Sequence, residues 1–316
     1  MSTVAAERHD ELRPLMFSIA YRMVGSVAEA EDIVQEAFLR IHQAQPDELD
    51  SPDAYAATVT TRLAIDHLRS ARFRREQYVG TWLPEPLLTG DEADPAWQVE
   101  RDDTLSMAFL VLLESLSPVE RAVFLLREVF SYDYSRIAVI VAKSEVNCRQ
   151  ILARARQHID ERRPRFEVSR HRRDELAGRF LAACRTGDTE ALEQLLAEDV
   201  TFYGDGGGKA PAIAVPATGR TRVARFLQGL VRQLAPLGGK LEPIDVNGQP
   251  GVRFVDAYGR LGAVLELTIT DDGRISELRN VLNPDKLRHL GPLFDPALLP
   301  GADRLRQGSC SGSKHA

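Results

Sequence analysis

The chain has 316 residues, 44% of them apolar and 27% charged, which is enough to bury cores in two or three compact units rather than one. Its three cysteines, Cys148, Cys184 and Cys310, are widely spaced and odd in number, a pattern that suits neither a disulfide framework nor a zinc site. No run approaches the roughly 18 to 20 apolar residues of a membrane span, and Met1 to Asp10 lacks the basic flank and apolar stretch of an export signal. A soluble cytoplasmic protein without membrane contact, metal or cofactor is expected.

The formal net charge of -6 argues against a molecule that coats nucleic acid indiscriminately, but the charge is unevenly placed. Residues 143 to 173 hold ten basic side chains against four acidic ones, a local balance of +6.

From Glu7 to about Glu76 the apolar residues follow helical spacing and fit three helices. Leu12, Leu15, Met16, Ile19, Ala20 and Met23 form one stripe before Gly25 and Ser26. In the second helix Ala30, Ile33, Val34, Ala37, Phe38 and Ile41 share a face, while Glu31, Asp32, Gln35, Glu36 and Arg40 lie elsewhere. The third begins near Ser51 and Pro52, an N-cap and a good first-turn residue, and ends basic at Arg75. Prolines 84, 86 and 95 and the acids Glu85, Asp91, Glu92 and Asp94 then mark residues 77–96 as a linker. Helical patterning resumes from about Trp97 to Arg163, broken at Ser117-Pro118 and at Ser131 to Asp133, which predicts four more helices and no strand up to that point.

After Arg173 two short helices precede strand-like runs at Val200 to Tyr203, Ala212 to Val215, Val252 to Ala257, Ala263 to Thr270 and Ile275 to Val281. A helix from Arg220 to Leu234 lies among them. This is an α+β pattern, expected to fold as a curved, antiparallel-looking sheet over helices. Gly308 to Ala316 is Ser/Gly-rich and expected to be disordered. The domains expected are residues 7–76, 97–165 and 172–288, with a tail at 289–316.

Within Leu116 to Ile159 the close spacing of the last two helices predicts a helix-turn-helix. Cys148, Leu152, Ala155 and Ile159 form the buried stripe of its last helix. Glu145, Asn147, Arg149, Gln150, Ala153, Arg154, Arg156 and Gln157 are left facing outward. Arg, Asn and Gln can pair bidentately with guanine and adenine edges, and neighbouring arginines can neutralise phosphates. The plainer alternative is a solvated basic helix in a bundle.

The run Leu-Ser-Pro-x-Glu-Arg, Leu-Arg-Glu-Val, Ile-Ala and Arg-Ala-Arg in Leu116 to Ile159 resembles region 4 of the extracytoplasmic-function (ECF) sigma factors. The resemblance implies reading of the -35 promoter element, near the β flap of RNA polymerase, by Asn147, Arg149, Gln150, Arg154 and Arg156. The family's usual turn Gly is replaced around Ala142 and Lys143, and its Thr-Val appears as Asn147-Cys148. Glu31 to Arg40 is similar to region 2.2, which implies that Asp32, Gln35 and Glu36 dock on the β′ clamp helices of core RNA polymerase. The helix from Ala54 to Glu76, with Leu63 to Arg69 as its most specific run, resembles regions 2.3 and 2.4. That likeness implies -10 recognition and strand opening by Arg62, Asp66, Arg69, Arg72, Arg74 and Arg75, with Arg62 standing where the family often has Asn. His67 reads as a packed or surface helix residue rather than a metal ligand.

About Asp174 to Arg288 resembles SnoaL-like domains of the NTF2-like cone fold, so the fold class expected is multidomain: two all-α sigma domains followed by an α+β cone. Relatives of the sigma-J type share three further motifs, Trp82-Leu83-Pro84-Glu85-Pro86, Asp205-Gly206-Gly207-Gly208-Lys209 and Asn283-Pro284-Asp285-Lys286-Leu287. Together with Trp82 and Pro84, the residues of the last two motifs are expected to form an interdomain regulatory contact. The glycine run could equally be a hairpin turn needing positive φ. It is not a P-loop, because the Gly-x-x-x-x-Gly-Lys-Ser/Thr pattern is absent.

The reading that follows is a sigma factor that partners core RNA polymerase and promoter DNA, is regulated in cis by its C-terminal domain, and has a cone with room for a small-molecule effector. The alternatives are a one-component helix-turn-helix regulator with a ligand-binding cone and an enzyme using Tyr203, Asp205, Asp256 and Tyr258 as acid/base groups.

Overall fold

The protein is described from a computed structural model that covers residues 3–43, 51–76, 78–90, 103–160 and 169–299. It divides into two compact units, Met1–Glu76 with Glu92–Arg163, and Gln77–Asp91 with Pro164–Ala316. The second grouping is a finding in itself: the described part of the expected linker folds with the C-terminal domain.

The first unit is all helical. Three long helices, α1 (Thr3–Val24), α2 (Val27–Gln43) and α3 (Pro52–Glu76), pack against one another. α2 buries Val27, Ala30, Ile33, Val34, Ala37 and Ile41, the apolar stripe of its sequence. α1 is buried almost all round in its last two turns, because the second half of the unit covers its remaining face. There Arg22, only 1% exposed, donates to Ser18 and Thr104 and lies over the Phe130 ring. Arg121, from the second half, donates to the Met23 carbonyl and pairs with Glu114 at 2.8 Å.

That second half holds α4 (Met107–Leu113), α5 (Pro118–Glu128), α6 (Tyr134–Val141) and α7 (Glu145–Asp160). Each start is dictated locally. Ser117 and Glu120 form a reciprocal capping box with Pro118 in the first turn of α5. Asp133 caps α6, and Ser144 Oγ accepts the Asn147 amide at the start of α7. Between α6 and α7 the chain turns at Ala142, which takes the left-handed conformation at φ 53°. Residues 97–102, where the first of these helices was expected to begin, lie outside the described residues, as does the tail at 300–316.

In the second unit α8 (Arg170–Thr186) and α9 (Thr189–Leu195) lead into β1 (Leu196–Asp205) and β2 (Ala217–Thr218). These are followed by α10 (Arg220–Leu234), β3 (Lys240–Val246), β4 (Gln249–Val255), β5 (Leu261–Ile269), β6 (Ile275–Val281) and the one-turn α11 (Pro284–Leu287). The strands form one sheet in the order β2-β1-β6-β5-β4-β3. α8, α9 and α10 pack on it through a core that includes Phe180, Leu192, Phe202, Leu227, Leu267 and Leu278.

Three expectations need correction. β1 runs parallel to β6, while the other pairs are antiparallel. Ala212 to Val215 is not a strand: Ile213 packs on the core without pairing, and Val215 is exposed. The strand missing from the expected set is β3, which joins β4 through Asn247 and Gly248, both at positive φ, in a two-residue hairpin. Its alternation was hidden by Pro243 and by the polar residues Lys240, Glu242 and Asp245.

Candidate nucleic-acid interface and linker clamp

In the first unit the residues expected to touch polymerase and DNA fall on three helices. Asp32, Gln35 and Glu36 are exposed on α2, opposite its buried stripe, with Glu36 paired to Arg40 at 3.0 Å. On α3, Asp66 and Arg69 form a solvent-facing pair at 3.2 Å. Arg72, Arg74 and Arg75 belong to the end of α3, and their side chains lie outside the described residues. His67 faces Glu29 at 3.1 Å, a side-chain pairing rather than a metal site.

Arg62 is engaged within the unit. Its guanidinium donates to the Ile140 carbonyl at 2.9 Å and to the Val139 carbonyl at 2.7 Å. These belong to the last turn of α6, where carbonyls lack helical partners and a cation is favoured by the helix dipole. The side chain expected to meet the -10 element therefore ties α3 to the helix-turn-helix.

On α7, Cys148, Leu152, Ala155 and Ile159 are buried, and Arg149, Gln150, Ala153, Arg154, Arg156 and Gln157 are exposed. Two of these arginines are already aimed by neighbours. Arg149 pairs with Glu145 at 2.9 Å and lies over the Tyr134 ring, and Arg156 pairs with Glu128 at 2.8 Å. Asn147 sits half-buried at the helix start. Such a face can present donors and acceptors to base edges while its flanking arginines meet phosphates.

In the second unit the three sequence motifs converge on one place. Asp205, fully buried at the end of β1, accepts from the Tyr78 hydroxyl, from the Leu83 amide at 2.8 Å and from Lys286 Nζ at 2.7 Å. Lys286 also donates to the Leu83 carbonyl at 2.5 Å and lies over the rings of Tyr78 and Trp82. A buried ammonium thus has a carboxylate, a carbonyl and two aromatic faces, the compensation such a charge requires. Asn283 caps α11 by accepting the Asp285 amide and donates its own Nδ2 to the Tyr78 oxygen at 2.9 Å. Burial and the bond to Asp205 push the Tyr78 phenol far above its ordinary value, so it remains a donor.

The glycine run makes room for this grip. It is not a hairpin turn between two strands, because Lys209 and Ala210 both donate back to the Gly206 carbonyl and no strand follows directly. A side-chain carbon at Gly207, at φ 56°, would lie 2.1 Å from Asn283 Nδ2 and 2.9 Å from the Tyr78 oxygen. Lys209 pairs with Asp285 on the exposed side.

The rest of the segment is held by residues that the sequence reading did not name. Leu87 exchanges bonds with Asn247, accepting its amide at 2.8 Å and donating to Oδ1 at 2.9 Å. The Thr89 amide donates to the Asp245 carbonyl and Leu88 bridges Val246, so residues 87–89 cover the outer edge of β3. His289 Nε2 donates to the Pro86 carbonyl at 2.7 Å. Leu83, Pro84 and Leu87 are buried under these bonds.

The acid/base candidates do not converge on one site. Asp205 belongs to the clamp, Asp256 is bonded to Arg260 in the β4–β5 turn, Tyr258 is 84% exposed, and Tyr203 lies beside Arg279. None of the four lines the cavity between the sheet and α10. No described helix is long and apolar enough to cross a membrane.

Residues 9–74 match the family Sigma-70 region 2, residues 106–159 match Sigma-70, region 4, and residues 177–281 match the SnoaL-like domain. The ECF RNA polymerase sigma factor SigJ of Mycobacterium tuberculosis is 38% identical over 286 residues, covering 88% of this chain and 91% of that one. A probable ECF RNA polymerase sigma factor SigI of the same species is 33% identical over 278 residues, covering 87% and 92%. The crystal structure of M. tuberculosis SigJ superposes with a TM-score of 0.72 at 36% identity, covering 90% of this chain and 98% of that one. A one-component regulator would have no use for region 2, so that alternative loses to the first reading. The chain belongs to the ECF RNA polymerase sigma factors, with helical sigma regions 2 and 4 followed by a SnoaL-like domain.

Proposed function

We propose that this sigma factor docks on the β′ clamp helices through Asp32, Gln35 and Glu36 of α2. In the same reading it meets the -10 element through Arg62, Asp66, Arg69, Arg72, Arg74 and Arg75, and the -35 element, beside the β flap, through Asn147, Arg149, Gln150, Arg154 and Arg156. It acts in the cytoplasm as a non-enzymatic initiation factor, and its SnoaL-like unit tunes it in cis. The observation that carries the last part is the clamp: Asp205, Asn283 and Lys286 hold residues 78–83 of the segment that joins regions 2 and 4 in sequence. Whatever changes that grip changes the length of chain free to span the two promoter elements. A small-molecule effector in the cone fits this role.

Arg62 adds a second constraint. It cannot serve the α6 carbonyls and a DNA strand together, so -10 engagement exchanges one contact for the other. The test is polymerase dependence. Promoter fragments should be bound specifically by the chain with core polymerase and only weakly without it, and Asp32→Lys with Glu36→Lys should abolish holoenzyme formation while leaving the fold intact. Specific binding that ignores both polymerase and the α2 charges would refute the reading.

A further inference from the structure

The cone of the second unit encloses a cavity of about 80 Å³ between the sheet and α10, walled by Phe202, Leu227, Val252, Phe254 and Leu265 among others. Every side chain lining it is apolar except that of Asn280 on β6. Asn280 is 6% exposed, and among the described residues its side-chain amide has no hydrogen-bond partner. An amide left unpaired inside an apolar wall costs free energy that a partner would recover. Water is a poor candidate, since a buried water needs two to four polar partners and this cavity offers one. A charged guest is disfavoured as well, because no ionisable side chain lines the space to offset its desolvation.

We propose that the cone binds a neutral, short hydrocarbon molecule carrying one hydroxyl, carbonyl or amide group that pairs with Asn280. An amide both donates and accepts, so any of these groups is satisfied. The volume is about half that of an apolar cavity large enough for benzene, which limits the enclosed part to roughly four to six carbons.

The occupant sits where it can be read. Two residues beyond Asn280, Leu282 also lines the cavity, and the amides of Leu282 and Asn283 donate to the Asp205 carbonyl at 2.8 and 3.0 Å. Asn283 is the residue that holds Tyr78. A guest that moves the end of β6 therefore bears directly on the clamp. This regulatory half rests on the cis-regulation proposed above, and the binding half does not.

The test uses the full chain and four six-carbon probes: 1-hexanol, 2-hexanone, n-hexane and hexanoate. Binding is followed by calorimetry and thermal unfolding. The alcohol and the ketone should bind at least fivefold more tightly than the alkane, and hexanoate should not bind measurably. Asn280→Leu should bring alcohol and alkane to near-equal affinity, and Ala263→Leu, which fills one wall, should weaken all probes at least tenfold. Absence of binding by any probe to the unaltered chain overturns the proposal, as does hexanoate binding as tightly as hexanol or an alcohol preference that survives Asn280→Leu. If clamp substitutions change initiation while no probe binds, the ligand inference fails and cis regulation stands. If probes bind as expected while clamp substitutions leave initiation unaltered, the reverse holds.

Discussion

Asp205 carries three bonds on one buried carboxylate, and its loss would leave the Lys286 ammonium in the interior without a counter-charge. Breaking such a pair costs about 3 kcal/mol or more. The neighbouring Lys209–Asp285 pair is exposed and worth at most about 1 kcal/mol. Asp205→Ala should therefore lower the urea midpoint of the second unit severely while Lys209→Ala barely moves it; equal effects would contradict the geometry. His289 gives the clamp a pH dependence. Burial holds its imidazole below the ordinary histidine value, against the opposing bond to Pro86, so folding favours the neutral ring. Its contribution is complete above the unfolded value of about 6.5 and is lost as pH falls through the lower folded value. In a Trp97→Phe chain, Trp82 fluorescence should report loosening of the segment on acidification below about pH 6.5. His289→Gln should flatten that response, and an unchanged response would exclude His289 as its source.

Ala142 makes the turn between α6 and α7 at φ 53°, a conformation that costs a residue with a side chain about 1 kcal/mol relative to glycine. Ala142→Gly should stabilise the first unit by about that amount in thermal unfolding, and destabilisation would mean that the turn differs from the one described. The helices were legible in the sequence because their caps and stripes are local: Ser117 with Glu120, Asp133, Ser144, and the alternation of buried and exposed residues on α2 and α7. β3 was not, since its outward positions are polar and Pro243 interrupts its pattern, although Asn247-Gly248 is the strongest short hairpin signature in the chain. Ala212 to Val215 misled in the opposite direction, alternating like a strand while pairing with nothing. Of the clamp, the motif residues were legible only through resemblance. Tyr78, Asn247 and His289 were not, because their roles arise from contacts 127 to 205 residues apart in sequence.

At the scale of the whole molecule, the segment after α3 belongs physically to the SnoaL-like unit, though it lies in sequence between the two sigma regions. A sigma factor must place two DNA-reading surfaces at a promoter-defined separation, and here the chain between them is held at one end by Asp205 and Lys286 and at the other by Asn247. The most direct measurement is initiation in vitro by core RNA polymerase on a promoter library of varied -35 to -10 spacing. It would compare the full chain, Lys286→Ala, and a chain ending after Arg165. Promoter-specific initiation by the full chain, with a spacing preference that shifts in the same direction in both variants, is the result expected of a sigma factor regulated in cis through its linker. Identical spacing profiles in all three would contradict the clamp, and no initiation by any of them, with DNA bound independently of polymerase, would contradict the account as a whole.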